Sequence, residues 1–245
     1  MCERKKKLLV SAVLALAFFA WAQDLDTPEG VLEAARAVWR GETFHAVVRL
    51  EVAQGGETKV YRLEVWTRGE TQALIRILAP EDEAGSGYLL VEDRLWYYSP
   101  QVGQPLLLPP VVLHESLFGS GLDLDEILRG TTGEDFAVEF APDQPAEGYK
   151  LVLTPLPGAP IVYGKLVLSL KPDLALEEVV YYDQRGQVVK TARAVEFLEL
   201  TDRVIPKTIV IQEAAGDRTV QTFETIEINL PLDPELFTLE GLIAR

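Results

Sequence analysis

Residues 88–128 decide the fold: YLLVEDRLWYYSP (88–100), LLLPPVVL (106–113) and SLFGSGLDLDEIL (116–128). The first piece reads as two short strands around Glu92-Asp93. Trp96, Tyr97 and Tyr98 give the second strand a strong β preference, and Pro100 ends it. The second is uncharged and holds two prolines. It is too short to span a bilayer and too rich in proline for a helix, so its apolar side chains must cover something. In the third, Leu122, Leu124, Ile127 and Leu128 recur among Asp123, Asp125 and Glu126. This predicts a short amphipathic helix with acids in the first turn, where the helix dipole favours them.

Outward from this stretch, alternation of apolar and polar residues predicts strands on both sides. Phe44, Ala46, Val48, Leu50 and Val52 alternate with His45, Arg49 and Glu51 up to Gly55-Gly56. Residues 60–67 pair back to a turn at Arg68-Gly69, and 71–78 return. Past the short helix, strands are expected over 134–140, 149–154, 161–170, 176–183, 187–198, 204–212 and 218–229. Turn residues separate them and no helical pattern intervenes, so the sheet is antiparallel. Several runs exceed the usual strand length, as a strongly curved sheet requires. Ahead of the strands, Thr27 caps and Pro28 opens a helix whose Val31, Leu32, Ala35, Val38 and Trp39 share a face, with Gly41 ending it.

The N-terminus carries Arg4 and Lys5 to Lys7, an apolar run from Leu8 to Phe19, and Ala20-Trp21-Ala22. That pattern predicts a secretory signal peptide over 1–22 and a mature chain, 23–245, in a single domain. Cleavage would remove four of the 23 basic residues, one of the 38 acidic ones and the only cysteine, Cys2, leaving a net charge of about −18. Such a chain repels phosphate backbones and anionic membrane surfaces, which argues against nucleic-acid binding. No disulfide framework is available, and a chain of this length can build a core without one.

Candidate chemistry is sparse. The two histidines, His45 and His114, lack the spacing of a metalloprotease helix, and no metal or other cofactor is expected. Ser86 and Ser120 each sit in Gly-Ser-Gly, which is turn chemistry and not a nucleophile elbow. Acid pairs such as Glu81/Glu83 and Asp123/Glu126 fit solvated faces better than a glycosidase pair.

The strand ending LWYYSP, the proline-interrupted apolar segment, Gly-Ser-Gly followed by acids and DEIL, and PLDPELFTLEGL (231–242) together resemble the LolA-like outer-membrane lipoprotein-sorting family. The similar segments frame most of the chain from Phe44 to Leu242. What the resemblance implies is a mainly β protein, an incomplete antiparallel barrel of LolA/LolB type, with helices covering its concave apolar face. The implied function is non-enzymatic: a periplasmic carrier holds the acyl chains of lipoproteins or lipids and moves them towards the outer membrane. Its implied partners are that cargo, an inner-membrane releasing transporter of the ABC type and an outer-membrane acceptor, with the carrier itself a monomer. An envelope lipid sensor of the same fold, or a hydrolase of envelope polymers, is the alternative.

Within that resemblance Trp96, Tyr98 and Pro100 match the family's aromatic strand, and Phe118, Gly119, Ser120, Asp125 and Leu128 match the segment before and within the inserted helix. The candidates to line the cavity or its lid are Trp39, Trp66, Trp96, Tyr98, Leu106, Leu108, Phe118, Leu122 and Leu128. Arg68 or Arg76 would anchor the lid. An acyl chain calls for a cavity on the order of several hundred cubic ångströms.

Overall fold

The structure, a computed structural model, describes residues 24–130 and 133–244. The segment read as a signal peptide lies outside the described residues. Thirteen strands form one antiparallel sheet: β1 (Thr43–Gln54), β2 (Glu57–Arg68), β3 (Gln72–Ala79), β4 (Gly87–Val91), β5 (Arg94–Tyr98), β6 (Leu106–Leu108), β7 (Phe136–Phe140), β8 (Tyr149–Pro155), β9 (Lys165–Leu170), β10 (Leu176–Tyr182), β11 (Val188–Glu199), β12 (Val204–Glu213) and β13 (Arg218–Ile228). Their order is β6-β5-β4-β3-β2-β1-β13-β12-β11-β10-β9-β8-β7. Every strand pairs with its neighbour in sequence except where β1 meets β13, and β6 and β7 remain as two edges that do not close on each other. The sheet is therefore a curved, open barrel.

Alternation fixes which side chains face inward. In β1, Phe44, Ala46, Val48, Leu50 and Val52 are all buried, opposite Tyr61, Leu63 and Val65 of β2. A slip of one residue in this register would move the whole row to the other face. This inner row joins residues of nearly every strand in one large core cluster. Three α-helices accompany the sheet among the described residues: α1 (Pro28–Trp39), α2 (Leu124–Leu128) and α3 (Leu239–Ile243). α1 starts as the sequence predicts: the Thr27 hydroxyl accepts the Gly30 N–H at 3.2 Å, and Pro28 stands where no amide is needed. It buries Val31, Leu32, Ala34 and Ala35 and lies against β7, β8 and β12 on the concave side.

Between β5 and β7 the chain crosses that side. Leu106–Leu108 adds a short edge strand, Pro110–His114 and Leu117–Gly119 form 3-10 turns, and α2 follows. The 106–113 segment covers the core only in part: Leu113 is buried and Leu108 half-buried, whereas Leu107 and Val111 are exposed. Phe118 holds a left-handed backbone, φ 57°, which a bulky side chain adopts only when its surroundings enforce it. Here its ring stacks on Tyr61, with centroids 4.0 Å apart.

A second, smaller apolar cluster lies on the opposite, convex face of β2 to β5. Trp66, Leu74 and Leu89, flanked by Trp96 and Tyr98, are covered by the C-terminal segment through Phe237 and Leu242. In that segment Asp233 caps a 3-10 turn at Pro234–Phe237 and Thr238 caps α3. A side chain on Gly241 would meet the Glu235 carbonyl oxygen at 2.2 Å, so the tight return needs glycine there.

Candidate functional site

Beneath α1 and α2, the concave face retains a cavity of about 160 Å³. Its walls come from the inward rows of β1 and β2 (Phe44, Val48, Leu50, Leu63, Val65), of β9 to β13 (Leu168, Leu170, Val179, Tyr181, Ala192, Ile209, Ile211, Phe223), and from Leu32, Ala35 and Trp39 of α1. Leu122 and Ile127 close it from the α2 side. Phe223 organises the aromatic wall, meeting Trp39 edge-on at 5.3 Å and Phe44 at 6.3 Å. The volume is below the several hundred cubic ångströms expected of an acyl site, about 300 to 1,000 Å³ for drug-sized ligands. α2 sits over the cavity, with Glu126 and Ile127 in its lining.

Two buried cations hold α2 in place. Arg40, immediately after α1, donates from Nη1 to the Leu128 carbonyl at 3.1 Å and from Nη2 to those of Glu126 at 3.1 Å and Ile127 at 2.8 Å. These are the last carbonyls of a five-residue helix, of which that of Glu126 also accepts the Gly130 N–H, and the helix dipole favours a positive charge there. Burial and then the neighbouring Arg36 push the Arg40 guanidinium down to about 10, so it remains charged at neutral pH.

At the other end of α2, Lys190 of β11 is 4% exposed. Its Nζ donates to both Glu126 carboxylate oxygens, at 2.9 and 3.0 Å, and to the Gly121 carbonyl at 2.9 Å. The ammonium also stands 3.8 Å from the Tyr181 ring centroid. Burial works against its charge, but Glu126 overrides this and raises the Lys190 pKa. Glu126 completes a capping box with Asp123: Asp123 Oδ1 accepts the Glu126 N–H at 2.7 Å, and Glu126 Oε2 accepts the Asp123 N–H at 3.2 Å. Desolvation, then repulsion from Glu126, pushes the Asp123 carboxyl up to about 7.

Of the residues singled out from the sequence, Trp39 and Leu122 line the cavity. Leu128, the last residue of α2, is buried in the main core, while Phe118 and Leu108 pack against that core without lining the cavity. Leu106 sits exposed on the edge strand. Trp66, Trp96 and Tyr98 belong to the convex cluster, the outward parity of β2 and β5 turning them away from the cavity. Arg68 and Arg76 are corrected in the same sense. Arg68 Nη2 donates to the Leu232 carbonyl at 2.7 Å beside the Phe237 ring, and Arg76 Nη2 donates to the Gly241 carbonyl at 2.6 Å beside Trp66. They anchor the C-terminal segment on the convex face, and the arginine on α2 is Arg40. A sequence signal for it existed: a lone arginine between a helix end and the Gly41 turn is placed to reach across to a neighbouring helix terminus.

Among the described residues no group of three or more histidine, cysteine, aspartate or glutamate side chains is arranged to hold a metal ion, and no helix is long and apolar enough to cross a membrane.

The fold is shared with known structures. A LolA superfamily protein from Nitrosomonas europaea superposes with a TM-score of 0.73 at 21% identity, over 86% of this chain and 97% of that one. A structure described as an outer membrane lipoprotein-sorting protein domain, from Vibrio parahaemolyticus, gives 0.75 at 16% identity over 89% and 98%. A DUF1329 family protein from Desulfovibrio piger gives 0.76 at 16% identity over 88% and 99%. No curated protein matches the chain in sequence. A family model described as "uncharacterized protein" matches residues 69–243, from the end of β2 through α3. The chain belongs to that family, and it is LolA-like in its open, helix-covered barrel.

Proposed function

We propose that this protein is a non-catalytic carrier that takes an acyl chain of a lipid or lipoprotein into the concave cavity and delivers it across an aqueous compartment. The observation that supports this reading most is the contrast between the two faces. The convex apolar cluster is covered by the C-terminal segment through Phe237 and Leu242, whereas the concave one keeps an apolar-walled cavity under a short helix held at both ends by cations. A structural core would be filled; an interior void forfeits contacts on every wall. The need is physical, because an acyl chain in water costs about 0.8 kcal/mol per methylene, roughly 12 kcal/mol for a chain of about 15.

In this reading α2 is the lid. Arg40 and Lys190 hold it closed by hydrogen bonds from charged donors, stable when the cavity is empty yet few enough to break as a ligand fills it. An entering chain gains dispersion contacts with Phe223, Leu50 and Ile211 as α2 rises. The carrier works as a single-domain monomer in the periplasm after removal of residues 1–22, receiving cargo from an inner-membrane transporter and passing it to an outer-membrane acceptor. Organic extraction of the protein isolated from a cell envelope, followed by mass spectrometry, should yield acyl lipid or an acylated peptide. Lipid-free protein that also fails to bind an added acyl probe would refute the carrier reading. N-terminal sequencing of the same material should start near Gln23.

A further inference from the structure

The polar part of the cavity lining is one-sided. Arg36, Arg40 and Arg129 all line it, against one carboxylate, Glu126. Glu126 is already engaged through both oxygens with Lys190. The three guanidiniums come from the last turn of α1 and from the residue after α2, beside Trp39 and Gly130, in a chain whose formal net charge is −15. Arg36 is paired with Glu70, and Arg129 Nε stands 2.7 Å from Asp125 Oδ1. Arg40 has no carboxylate hydrogen-bonded to it: both of its Nη groups serve carbonyls, and its Nε, like that of Arg129, is buried with no hydrogen-bond partner among the described residues.

Approach to that Nε depends on Gly130. A methyl group built at Gly130 would stand 3.4 Å from it, within the same lining. Arg36 stands close enough to Arg40 to help lower its pKa, and Asp125 offsets this only in part. Guanidinium groups only donate hydrogen bonds, so what this end of the cavity lacks is an acceptor, and a negative one would also relieve the repulsion. A purely hydrocarbon ligand would leave the donor unused, and a neutral ester would supply an acceptor without the charge.

We infer that the cavity takes an acyl chain with an anionic head, a carboxylate or a phosphate, the chain lying on the Phe223 wall and the head between Arg36, Arg40 and Arg129. This deepens the carrier reading and rests on it.

The test uses the mature chain and three probes with one bromine-labelled chain: 9,10-dibromostearate, its methyl ester, and the lysophosphatidate carrying the same acyl group. Bromine quenches tryptophan at near-contact range, and Trp39 lines the cavity. The two anionic probes should bind roughly tenfold or more tightly than the ester, as expected for one charge-assisted hydrogen bond. Whichever anion binds more tightly identifies the head as carboxylate or phosphate. In Arg36→Gln/Arg129→Gln the acid should lose most of that advantage, whereas Arg36→Lys should retain part of it. Arg40 is left intact because it holds α2. Should the double variant misfold, the acid-to-ester ratio in the unaltered protein decides the matter by itself. Equal binding of acid and ester would overturn the head-group assignment while leaving the acyl site standing; quenching by none of the probes would overturn both.

Discussion

The two faces of the sheet pose one problem and solve it differently. Each has an apolar floor that the strands cannot cover, and on each a short helical segment closes it with arginines bonded to its backbone carbonyls. On the convex side Arg68 and Arg76 grip the C-terminal segment, whose Phe237 and Leu242 are buried in the cluster. On the concave side Arg40 and Lys190 grip α2, but the side chains beneath stop short and leave a cavity. A cover that fills its floor is part of the fold. One that buries only Leu124 and Leu128 and is otherwise gripped at its ends by polar groups is the part of this face that can open without unfolding the sheet.

The comparison breaks most readily at Phe237. It is 5% exposed beside Arg68, and Phe237→Ala should cost about 3–5 kcal/mol of global stability in denaturant unfolding. Acyl binding by the fraction that remains folded should not change. Next in size is Lys190→Met, which strips Glu126 of its buried partner. Removing one member of a buried pair costs roughly 3 kcal/mol or more. The loss should appear as faster hydrogen exchange in α2, with β1 and β2 unaffected. Arg40→Met removes three hydrogen bonds to the C-terminal carbonyls of α2 and should free its last turn by about 2 kcal/mol, read in the same exchange experiment.

The pH response of the lid tests the same element without removing a side chain that grips it. Asp123 has its carboxyl raised from 3.8 to about 7 by burial and by Glu126. The folded state therefore binds this proton more tightly than the unfolded one. Its contribution to stability is fully present below about pH 4 and is lost as pH rises through about 7, by up to about 1.4 kcal/mol per unit. The groups facing Asp123 set the limits of this window. Glu126 and Asp125 on α2 oppose its ionisation, whereas Lys190 from β11 favours it. Asp123→Asn retains a capping side chain and should flatten the exchange rates of α2 between pH 5 and 7, whereas an unchanged profile would place the titration elsewhere.

Much of the fold was legible because one physical signal ran through it. The alternation of Phe44 to Val52 gave the inner face of β1, and Thr27-Pro28 marked where α1 begins. The site was less legible for a reason visible in β2 to β5. There Leu74 and Ile75, or Leu89 and Leu90, are both fully buried, one on each face, so apolar character no longer distinguishes inside from outside. Trp66, Trp96 and Tyr98, cavity candidates from the sequence and from the resemblance, stand at positions whose parity sends them to the other face. The C-terminal segment that covers them forms only a 3-10 turn and one turn of helix, whose local periodicity is too short to read. Arg40 and Lys190 were equally hidden, since what defines them is a carbonyl or carboxylate about 65 to 90 residues away in sequence. The acid pair Asp123/Glu126, expected from the sequence on a solvated face, instead forms a capping box, and Glu126 meets the buried Lys190.

The most direct test of the central claim is which tryptophan an acyl chain touches. Trp39 lies in the cavity wall, whereas Trp66 and Trp96 lie under the C-terminal segment on the other face. On titration with 9,10-dibromostearate, quenching should be lost in Trp39→Phe and retained in Trp66→Phe and Trp96→Phe. Quenching that survives Trp39→Phe and disappears with Trp66 or Trp96 would put the chain on the convex face and contradict the assignment of the concave cavity as the acyl site.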